Sequence, residues 1–440
     1  METAVLVYVD IAGTPHLAGR LWARVRKSKE SATFEYDSGW LEYVNHFSLE
    51  PALTLGPGPF HTPSDKPLFG TLGDSAPDRW GRVLMRRAER RRAAAAGETP
   101  RTLMEIDYLL MVDDEARQGA LRFARQEGGP FLAKYEAARI PPLIDLPRLL
   151  SAAEHVVGDT DSDEDLRLLL APGSSLGGAR PKASVRDRDG HLAIAKFPHK
   201  DDEINIVLWE AVALTLAAKA GIPVPDWRLE RVVKKSSGTI YHASPAGVRF
   251  RDESNNTPVL LLRRFDRLPG QRIPFLSAMS MLGASDNESR SYLEFVDALR
   301  RYGANAKQDM HALWRRIVFN ILISNTDDHL RNHGFLYAGP DGWRLAPAYD
   351  LNPMPTDIKP RVLTTAIDLD DSSASLDLAM SVAGYFELDE DKAHAIVSEV
   401  GRAVATWREE AARLGFAHVE IDRMASAFEH EDLSAALSNA

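Results

Sequence analysis

One segment constrains this chain more than any other: residues 317–350, which read IVFNILISNTDDHLRNHGFLYAGPDGWRLAPAYD. Its apolar run ends abruptly at Ser324 and is followed by a dense polar loop. Two short strand patterns, separated by a turn rich in glycine and proline, then lead to Asp350. The segment predicts a helix, a polar loop and a hairpin that brings a further carboxylate back to the loop.

The loop carries side chains suited to phosphoryl transfer. This chemistry needs a carboxylate to orient the attacking hydroxyl and hard oxygen ligands for magnesium. Asp327 offers the carboxylate, Asn332 an amide oxygen, and Asp350 a second carboxylate. Protein kinases space their loop Asp and Asn by the same interval and place a separate metal-binding Asp after a hairpin. The alternatives are a solvated loop without chemistry and a metal site at His329 and His333, which would need the helix to continue.

Composition and length set the broad class of protein. The 440 residues predict two or three domains, and the 44% hydrophobic and 26% charged content is typical of a globular chain. Without cysteine, disulfides and thiolate metal sites are excluded. The start at Met1 has no basic leader and no apolar stretch reaches membrane-spanning length, so we expect a cytoplasmic protein. A net charge of −10 argues against extensive nucleic-acid binding but allows a local basic patch.

The N-terminal part is predicted to be rich in β-structure. Residues 5–9, 17–25 and 31–36 alternate like strands and indicate a small meander or barrel. A helix with a basic face follows; its arginines are Arg79, Arg82, Arg86, Arg87, Arg90, Arg91 and Arg92. This face is either solvated and paired with nearby acids, or a docking surface for an acidic partner or DNA. The acidic stretch 158–165 lacks the residue order of an EF-hand, which favours a solvated loop over a calcium site.

A glycine-rich loop precedes two strand patterns, over 182–186 and 193–197, in the middle of the chain. Residues 172–185 read PGSSLGGARPKASV, which is neither a Walker A loop nor a dinucleotide-binding fingerprint. Lys196 comes late on the second strand, like the phosphate-binding lysine of kinases, although such a lysine is often only an exposed edge residue. Helical patterns dominate after Asp266, most clearly over 293–301, 309–324 and 392–414, the last of them after a helix cap at Asp389. A β-rich part with a glycine loop and a lysine, then a helical part with Asp, Asn and Asp, is the order of a bilobal kinase.

Taken together, these motifs resemble those of the HipA family of serine/threonine protein kinases, the toxins of bacterial toxin–antitoxin pairs. The matching pieces, in family order, are Ser174–Lys182, Ile194–Pro198, Arg264–Arg267, Asn325–Asn332 and Tyr349–Leu351. The resemblance implies an α+β, bilobal protein-kinase-like fold with an extra N-terminal β-containing subdomain. It implies a subdomain over 1–140, a kinase N-lobe-like part over 141–266 and a helical catalytic lobe over 267–440.

The resemblance also implies roles for individual residues. Asp327 would be the catalytic base, Asn332 and Asp350 the magnesium ligands, and Lys196 a contact to the ATP phosphates. The other residues implied in ATP binding are Ser175, Gly177, Gly178, Ala179, Lys182, Arg263, Arg264, Phe265, Asp266 and His329, together with Asn332 and Asp350. Ser175 aligns with the regulatory autophosphorylated serine of the family, and Ser174 lies beside it. The chain departs from the family pattern at Arg180-Pro181, where proline removes an amide donor, and at Arg263, where some members carry an acid.

Partners follow from the same resemblance. A helix-turn-helix antitoxin of HipB type is expected, with DNA contacted only through that complex. The phosphorylated protein would be a translation enzyme, with an aminoacyl-tRNA synthetase as one candidate. Two other functions stay open: a kinase for small molecules or lipids with the same Asp, Asn and Asp, and a non-catalytic corepressor. Retention of the catalytic set argues against the corepressor.

Overall fold

The computed structural model describes residues 2–27, 29–133, 140–170, 178–233, 256–286 and 288–438. The chain forms two compact units. Unit 1 contains the described residues of 1–202 and 226–275, and unit 2 those of 203–225 and 276–440.

The first sheet of unit 1 is an antiparallel meander extended by one later strand. Its order is β4-β3-β2-β1-β5. The strands are β1 (Glu2–Ile11), β2 (Thr14–Arg26), β3 (Lys29–Tyr36), β4 (Pro59–His61) and β5 (Leu121–Ala124). Alternating apolar residues such as Val5, Val7 and Val9 are buried, which is why these segments form strands with one covered face. The three strands expected in this region are confirmed.

The second sheet of unit 1 has four antiparallel strands in the order β6-β7-β9-β8. They are β6 (Lys182–Arg186), β7 (Leu192–Lys196), β8 (Trp227–Val233) and β9 (Asn256–Arg263), followed by a small hairpin of β10 (Arg267–Leu268) and β11 (Gln271–Arg272). The predicted strands at 182–186 and 193–197 are confirmed within one residue. Lys182 pairs directly with Lys196 across β6 and β7, so the sheet places two predicted site residues side by side.

Helices of unit 1 cover these sheets, and two charged segments neutralise each other. The helices are α1 (Ser38–Glu42), α2 (Gly70–Asp74), α3 (Arg79–Ala96), α4 (Glu105–Met111), α5 (Leu146–Val157) and α6 (Asp163–Leu170). On the basic helix α3, Arg87 is paired with Asp159 and Asp161, and Arg91 lies 3.0 Å from Asp161 and 3.2 Å from Asp163. These pairs support the solvated, acid-paired interpretation for that part of the basic face.

The acidic stretch 158–165 is only partly a loop. Asp163 begins α6, and two further acidic residues lie in its first turn. Negative side chains at a helix N-terminus are favoured by the helix dipole, which explains why the stretch becomes helical there.

Unit 2 is mostly helical. Its helices are α7 (Ile206–Lys219), α8 (Ala278–Met281), α9 (Tyr292–Tyr302), α10 (Ala306–Leu322), α11 (Leu376–Ser381), α12 (Glu390–Val404), α13 (Trp407–Leu414), α14 (His418–Arg423), α15 (Ala425–Phe428) and α16 (Glu431–Ser438). A small sheet has the order β12-β13-β14, with β12 (Phe275–Ser277), β13 (Gly334–Tyr337) and β14 (Trp343–Leu345).

Helix α7 packs within unit 2, although the predicted division assigned it to the preceding part of the chain. Its Trp209 stacks on Phe416 with ring centroids 4.3 Å apart and lies 6.2 Å from Trp407. Burial of such large rings is the strongest packing contribution that this helix can make. The division at 140/141 and 266/267 stays a prediction.

The last long helical pattern, expected as one helix over 392–414, is two helices. Asp389 caps α12 as predicted, accepting a hydrogen bond of 2.9 Å from the Lys392 amide. The break falls at Ala405 and Thr406, where the Thr406 hydroxyl donates to the Ala403 carbonyl at 2.9 Å. Such a local bond competes with the backbone bonding of a continuous helix. Across the described residues, no helix combines the length and apolar character needed to span a bilayer.

Candidate active site

The predicted catalytic loop begins where α10 ends. The final turns of this helix are buried on all sides, with Phe319 and Ile321 fully covered. Ser324 then adopts a left-handed φ of 51°, and the Asn325 amide donates to the Asn320 carbonyl at 2.9 Å. This is a Schellman-type helix end with serine in the position that glycine usually takes. The backbone therefore reverses abruptly and presents the next residues as a loop.

The two consecutive aspartates of the loop have opposite environments. The Asp328 carboxylate is buried, and its Oδ2 atom lies 2.7 Å from His333 Nε2 and accepts a 2.8 Å hydrogen bond from Asn320 Nδ2. The Tyr292 hydroxyl donates to the same oxygen. Burial alone would raise the pKa of Asp328, but the charge and hydrogen bonds of His333 and Tyr292 outweigh it and lower that pKa. Asp328 is thus a fixed anion that holds the loop and has no free face for a substrate.

Asp327 points outward instead. Its side chain is 61% exposed, and its backbone carbonyl accepts a 3.0 Å hydrogen bond from Asn332 Nδ2. The Lys359 ammonium lies 3.4 Å from Asp327 Oδ1. The carboxylate that was predicted as the base is therefore the accessible one, and its loop is closed by the predicted metal ligand.

The nitrogen and the oxygen of the Asn332 side-chain amide differ in their contacts. The nitrogen is used by Asp327, while the Oδ1 atom is buried and accepts no hydrogen bond from the described part of the chain. A buried acceptor without a donor is costly, which makes it a natural place for a cation. The donor set of one amide oxygen and one carboxylate, from Asp350, fits magnesium.

Asp350 is delivered by the β13–β14 hairpin. The Tyr349 hydroxyl donates to the Arg331 carbonyl at 2.8 Å, which ties the end of the hairpin to the residue before Asn332. Asp350 has a left-handed φ of 60°. Non-glycine residues in this conformation carry strain that tends to be kept at functional sites.

The alternative metal site at His329 and His333 finds no support. His333 is engaged by Asp328, and the chain between the histidines forms a 3-10 turn over Leu330–Asn332 rather than a helix. Among the described residues, no group of three His, Asp or Glu side chains could hold a metal ion. His329 is half-buried, and its Nδ1 atom has no hydrogen-bond partner within the described ranges. Its predicted role in ATP binding stays a prediction.

A small cavity of about 10 Å³ lies behind the loop, enclosed by unit 2. Its walls include Arg316, Asp328, Asn332, His333 and Tyr349. This volume is close to that of a single water molecule, so it belongs to the support of the loop and is too small for a substrate.

In unit 1, the structure places Lys196 at the end of β7 and Lys182 opposite it. Lys182 is buried; its ammonium lies 3.0 Å from Asp78 Oδ2 and 3.4 Å from the Gly178 carbonyl. Asp78 also caps α3 through the Gly81 amide at 2.8 Å. Lys182 therefore links the end of the glycine loop to the start of α3, a role that its sequence context did not predict.

The glycine loop itself is only partly described. Ser174, Ser175 and Gly177 lie outside the described residues. Ser175 is the predicted autophosphorylation site. Gly178 has a φ of 96°, a conformation that favours glycine. Ala179 is exposed, next to Arg180, which pairs with Asp202.

Residues 263–266, which were predicted to bind ATP, divide into two kinds. Arg264 and Asp266 have fully enclosed side chains: Arg264 donates to Asp266 Oδ1 at 2.8 Å, and the Gly119 amide donates to Asp266 Oδ2 at 2.8 Å. Arg263 and Phe265 are half-buried. Only backbone atoms of Arg264 and Asp266 are left for a nucleotide, so their side chains act in the fold. Sequence reasoning missed this buried network because its partners lie about 150 residues earlier in the chain.

Comparisons with known proteins identify the family of the chain. The family described as the HipA-like C-terminal domain matches residues 174–407, more than half of the chain. The chain is 26% identical over 353 residues to the candidate kinase Y4mE of Sinorhizobium fredii, covering 72% of this chain and 71% of that protein. It is 29% identical over 114 residues to a candidate kinase of Haemophilus influenzae, covering 23% of this chain and 33% of that protein.

A solved structure shows the fold. The Shewanella oneidensis MR-1 HipA chain, solved in a complex with HipB and operator DNA, superposes with a TM-score of 0.62 at 16% identity, covering 99% of this chain and 96% of that one. The predicted kinase-like α+β fold with an N-terminal β-containing part is confirmed. Together with the match of the family over residues 174–407, these observations show that the chain belongs to the HipA family of kinases.

Proposed function

We propose that the protein is an ATP- and Mg²⁺-dependent serine/threonine protein kinase with Asp327 as its catalytic base. In the reaction, the hydroxyl oxygen of the acceptor attacks the γ-phosphorus of ATP, and the bond to the bridging oxygen of the β-phosphate breaks. The hydroxyl proton passes to the Asp327 carboxylate, and ADP leaves. A positioned base of this kind contributes about 10²- to 10⁴-fold to the rate.

The observation that carries this proposal is the contrast between Asp327 and Asp328. The Asp328 carboxylate is buried, and its Oδ2 atom is engaged by Asn320, His333 and Tyr292 inside unit 2. Asp327 is 61% exposed, on a loop that is closed by the hydrogen bond from Asn332 Nδ2 to the Asp327 carbonyl. Catalysis of phosphoryl transfer is mainly a matter of position and charge, so a rigid loop with one accessible carboxylate suits it.

The remaining predicted residues are assigned to the metal and the nucleotide. Asn332 Oδ1 and the Asp350 carboxylate would hold magnesium, which neutralises charge on the ATP phosphates when bound. Lys196 would bind those phosphates, with the Gly178 end of the glycine loop and Lys182 beside it. The backbone of residues 263–265 would contact the adenine.

The biological role is proposed from the family. The protein would act as a HipA-type toxin that arrests growth by phosphorylating a translation enzyme, and would switch itself off by phosphorylating Ser175. The Shewanella oneidensis HipA was solved with HipB and operator DNA. We accordingly propose a HipB-type helix-turn-helix partner here, with DNA bound through that complex.

Transfer of label from [γ-³²P]ATP tests the proposed reaction. Wild-type protein should label protein acceptors and itself, and should not label small-molecule or lipid acceptors. Asp327→Asn should lower transfer about 10²- to 10⁴-fold while leaving the affinity for ATP nearly unchanged. Asp297→Asn is a matched control, because Asp297 is also an exposed, ion-paired carboxylate of unit 2, 3.5 Å from Arg300.

Two results would contradict the proposal. Near-normal transfer by Asp327→Asn would remove Asp327 as the base. Label that appears only in a small-molecule or lipid acceptor would make the protein a kinase of that other class. For the self-regulation, mass spectrometry should find phosphate on Ser175 in wild type and not in Asp327→Asn.

A further inference from the structure

The segment that follows Asp350 is held against the catalytic loop by specific bonds. The Thr364 amide and hydroxyl both donate to the Thr326 carbonyl, at 3.1 Å and 2.9 Å, and the Thr365 hydroxyl donates to the Asp328 carbonyl at 2.6 Å. Arg361 adds a 3.2 Å bond to Ser324 Oγ. These contacts bracket the residues on both sides of Asp327, so this segment has a fixed position relative to the predicted base.

Lys359 lies within this segment and reaches the predicted base. Its amide and that of Ile358 donate to the Pro355 carbonyl, at 3.1 Å and 3.0 Å, and Pro360 follows. Proline fixes the backbone after the turn. The Lys359 ammonium lies 3.4 Å from Asp327 Oδ1 and 3.5 Å from the Thr326 carbonyl oxygen. A cation from a segment 32 residues further on thus contacts both the base and the backbone beside it.

We propose that Lys359 is a positioning residue for the catalytic base, an inference that rests on the proposed role of Asp327. An exposed carboxylate samples several rotamers in water, and only one of them can receive the proton of the acceptor. A donor anchored to the Thr326 carbonyl selects one of these rotamers, because both contacts are satisfied together only when Asp327 turns toward it. Lys359 thereby increases the fraction of the enzyme that is ready for transfer.

The solvent exposure of the Lys359–Asp327 pair shows that its effect on stability is small, which distinguishes a positioning role from a structural one. The Lys359 side chain is 40% exposed and that of Asp327 is 61% exposed. Ion pairs this open contribute little to stability, since water and salt screen them. Loss of Lys359 should therefore leave the fold intact and act on turnover.

Steady-state kinetics of protein phosphorylation test the proposal. Lys359→Met should lower kcat by about two- to fivefold, the range set by the free energy of an exposed ion pair, with KM for ATP unchanged. Lys359→Arg keeps the charge and should restore part of the loss. Lys307→Met is the matched control, because Lys307 forms a comparably exposed pair with Glu387, at 3.6 Å, elsewhere in unit 2.

A double-mutant cycle shows whether Lys359 acts through Asp327. In the Asp327→Asn background, Lys359→Met should have almost no further effect, since there is no base left to position. An equal loss in both backgrounds would overturn the proposal, and so would a kcat for Lys359→Met within twofold of wild type while Asp327→Asn is strongly impaired. Near-normal transfer by Asp327→Asn alone would instead remove the proposed base itself.

Discussion

Removal of one buried charge, in Asp266→Asn, distinguishes a structural residue from a nucleotide contact. Asp266 is 1% exposed; one of its oxygens lies 2.8 Å from an Arg267 nitrogen, and Arg264 donates to both oxygens. Burial opposes ionisation of Asp266, but the charges of Arg264 and Arg267 outweigh it and lower its pKa to about 2 from the usual 3.8. A difference of this size corresponds to about 2 kcal/mol of folding free energy at neutral pH.

The variant also leaves Arg264 buried without its anion. Breaking a buried ion pair by removing one partner costs about 3–5 kcal/mol. This figure and the one from the pKa describe the same interaction, so the expected loss of folding free energy is about 2–5 kcal/mol. For a folding unit of roughly 250 residues, this lowers the thermal midpoint by about 4–20 °C. Because the pKa of Asp266 is depressed, its contribution is present above pH 3.8 and is lost as the pH falls toward 2. The difference between wild type and variant should therefore be constant from pH 5 to 7 and shrink at lower pH.

The measurement combines thermal unfolding with ATP titration. Well below its midpoint, folded Asp266→Asn should bind ATP within about threefold of wild type, since the enclosed carboxylate is not available to a ligand. Asp163→Asn is the control, an exposed carboxylate of unit 1 that lies 3.2 Å from Arg91 and should cost little. An unchanged midpoint would refute the structural role of Asp266. A tenfold loss of ATP affinity in a fully folded variant would show that Asp266 contacts the nucleotide.

Three further outcomes are expected. Asp350→Asn should weaken ATP binding in the presence of Mg²⁺ more than Asn332→Ala does, because it removes an anionic ligand; calorimetry with and without Mg²⁺ measures this, and equal affinities would remove Asp350 from the metal site. If α3 contacts operator DNA within an antitoxin complex, replacing the exposed Arg86 and Arg90 by Ala should flatten the salt dependence of binding, and an unchanged slope would contradict such a contact. Burial raises the pKa of Glu50 from 4.5 to about 7, so wild type loses stability as the pH rises through this interval; Glu50→Gln should raise the thermal midpoint relative to wild type at pH 8 and not at pH 4, and a constant difference would contradict the shift.

Much of the secondary structure could be predicted, because it follows from local patterns. The alternation in 182–186 and the helical period around 293–301 place β6 and α9 within one or two residues. The pattern failed at Ala405 and Thr406, where the apolar period continues in phase although the helix breaks. An apolar periodicity indicates which face of a helix is buried. It does not reveal a short break in the helix when the same face stays buried on both sides of the break.

The candidate site was predictable where its residues share one short segment. The spacing of Asp327 and Asn332 and the hairpin leading to Asp350 could be recognised in the linear sequence. Which of the two adjacent aspartates is buried could not be predicted, because it depends on Tyr292, which comes from α9. Lys359 was missed for the same reason, because its contact with Asp327 forms only in the folded chain.

The left-handed backbone at Ser324 and Asp350 has a consequence for how the sequence can vary. At position 324, Gly or Asn adopts this conformation with little strain, so a library selected for folded protein should enrich them. At position 350, low backbone strain and metal binding conflict. Glycine would relieve the strain of the left-handed backbone best, but it lacks the carboxylate. Selection for thermal stability alone should drift toward Gly there and yield well-folded proteins without the metal ligand. The residue found at position 350 in an evolving population would thus show whether activity is still under selection, with position 324 as the comparison.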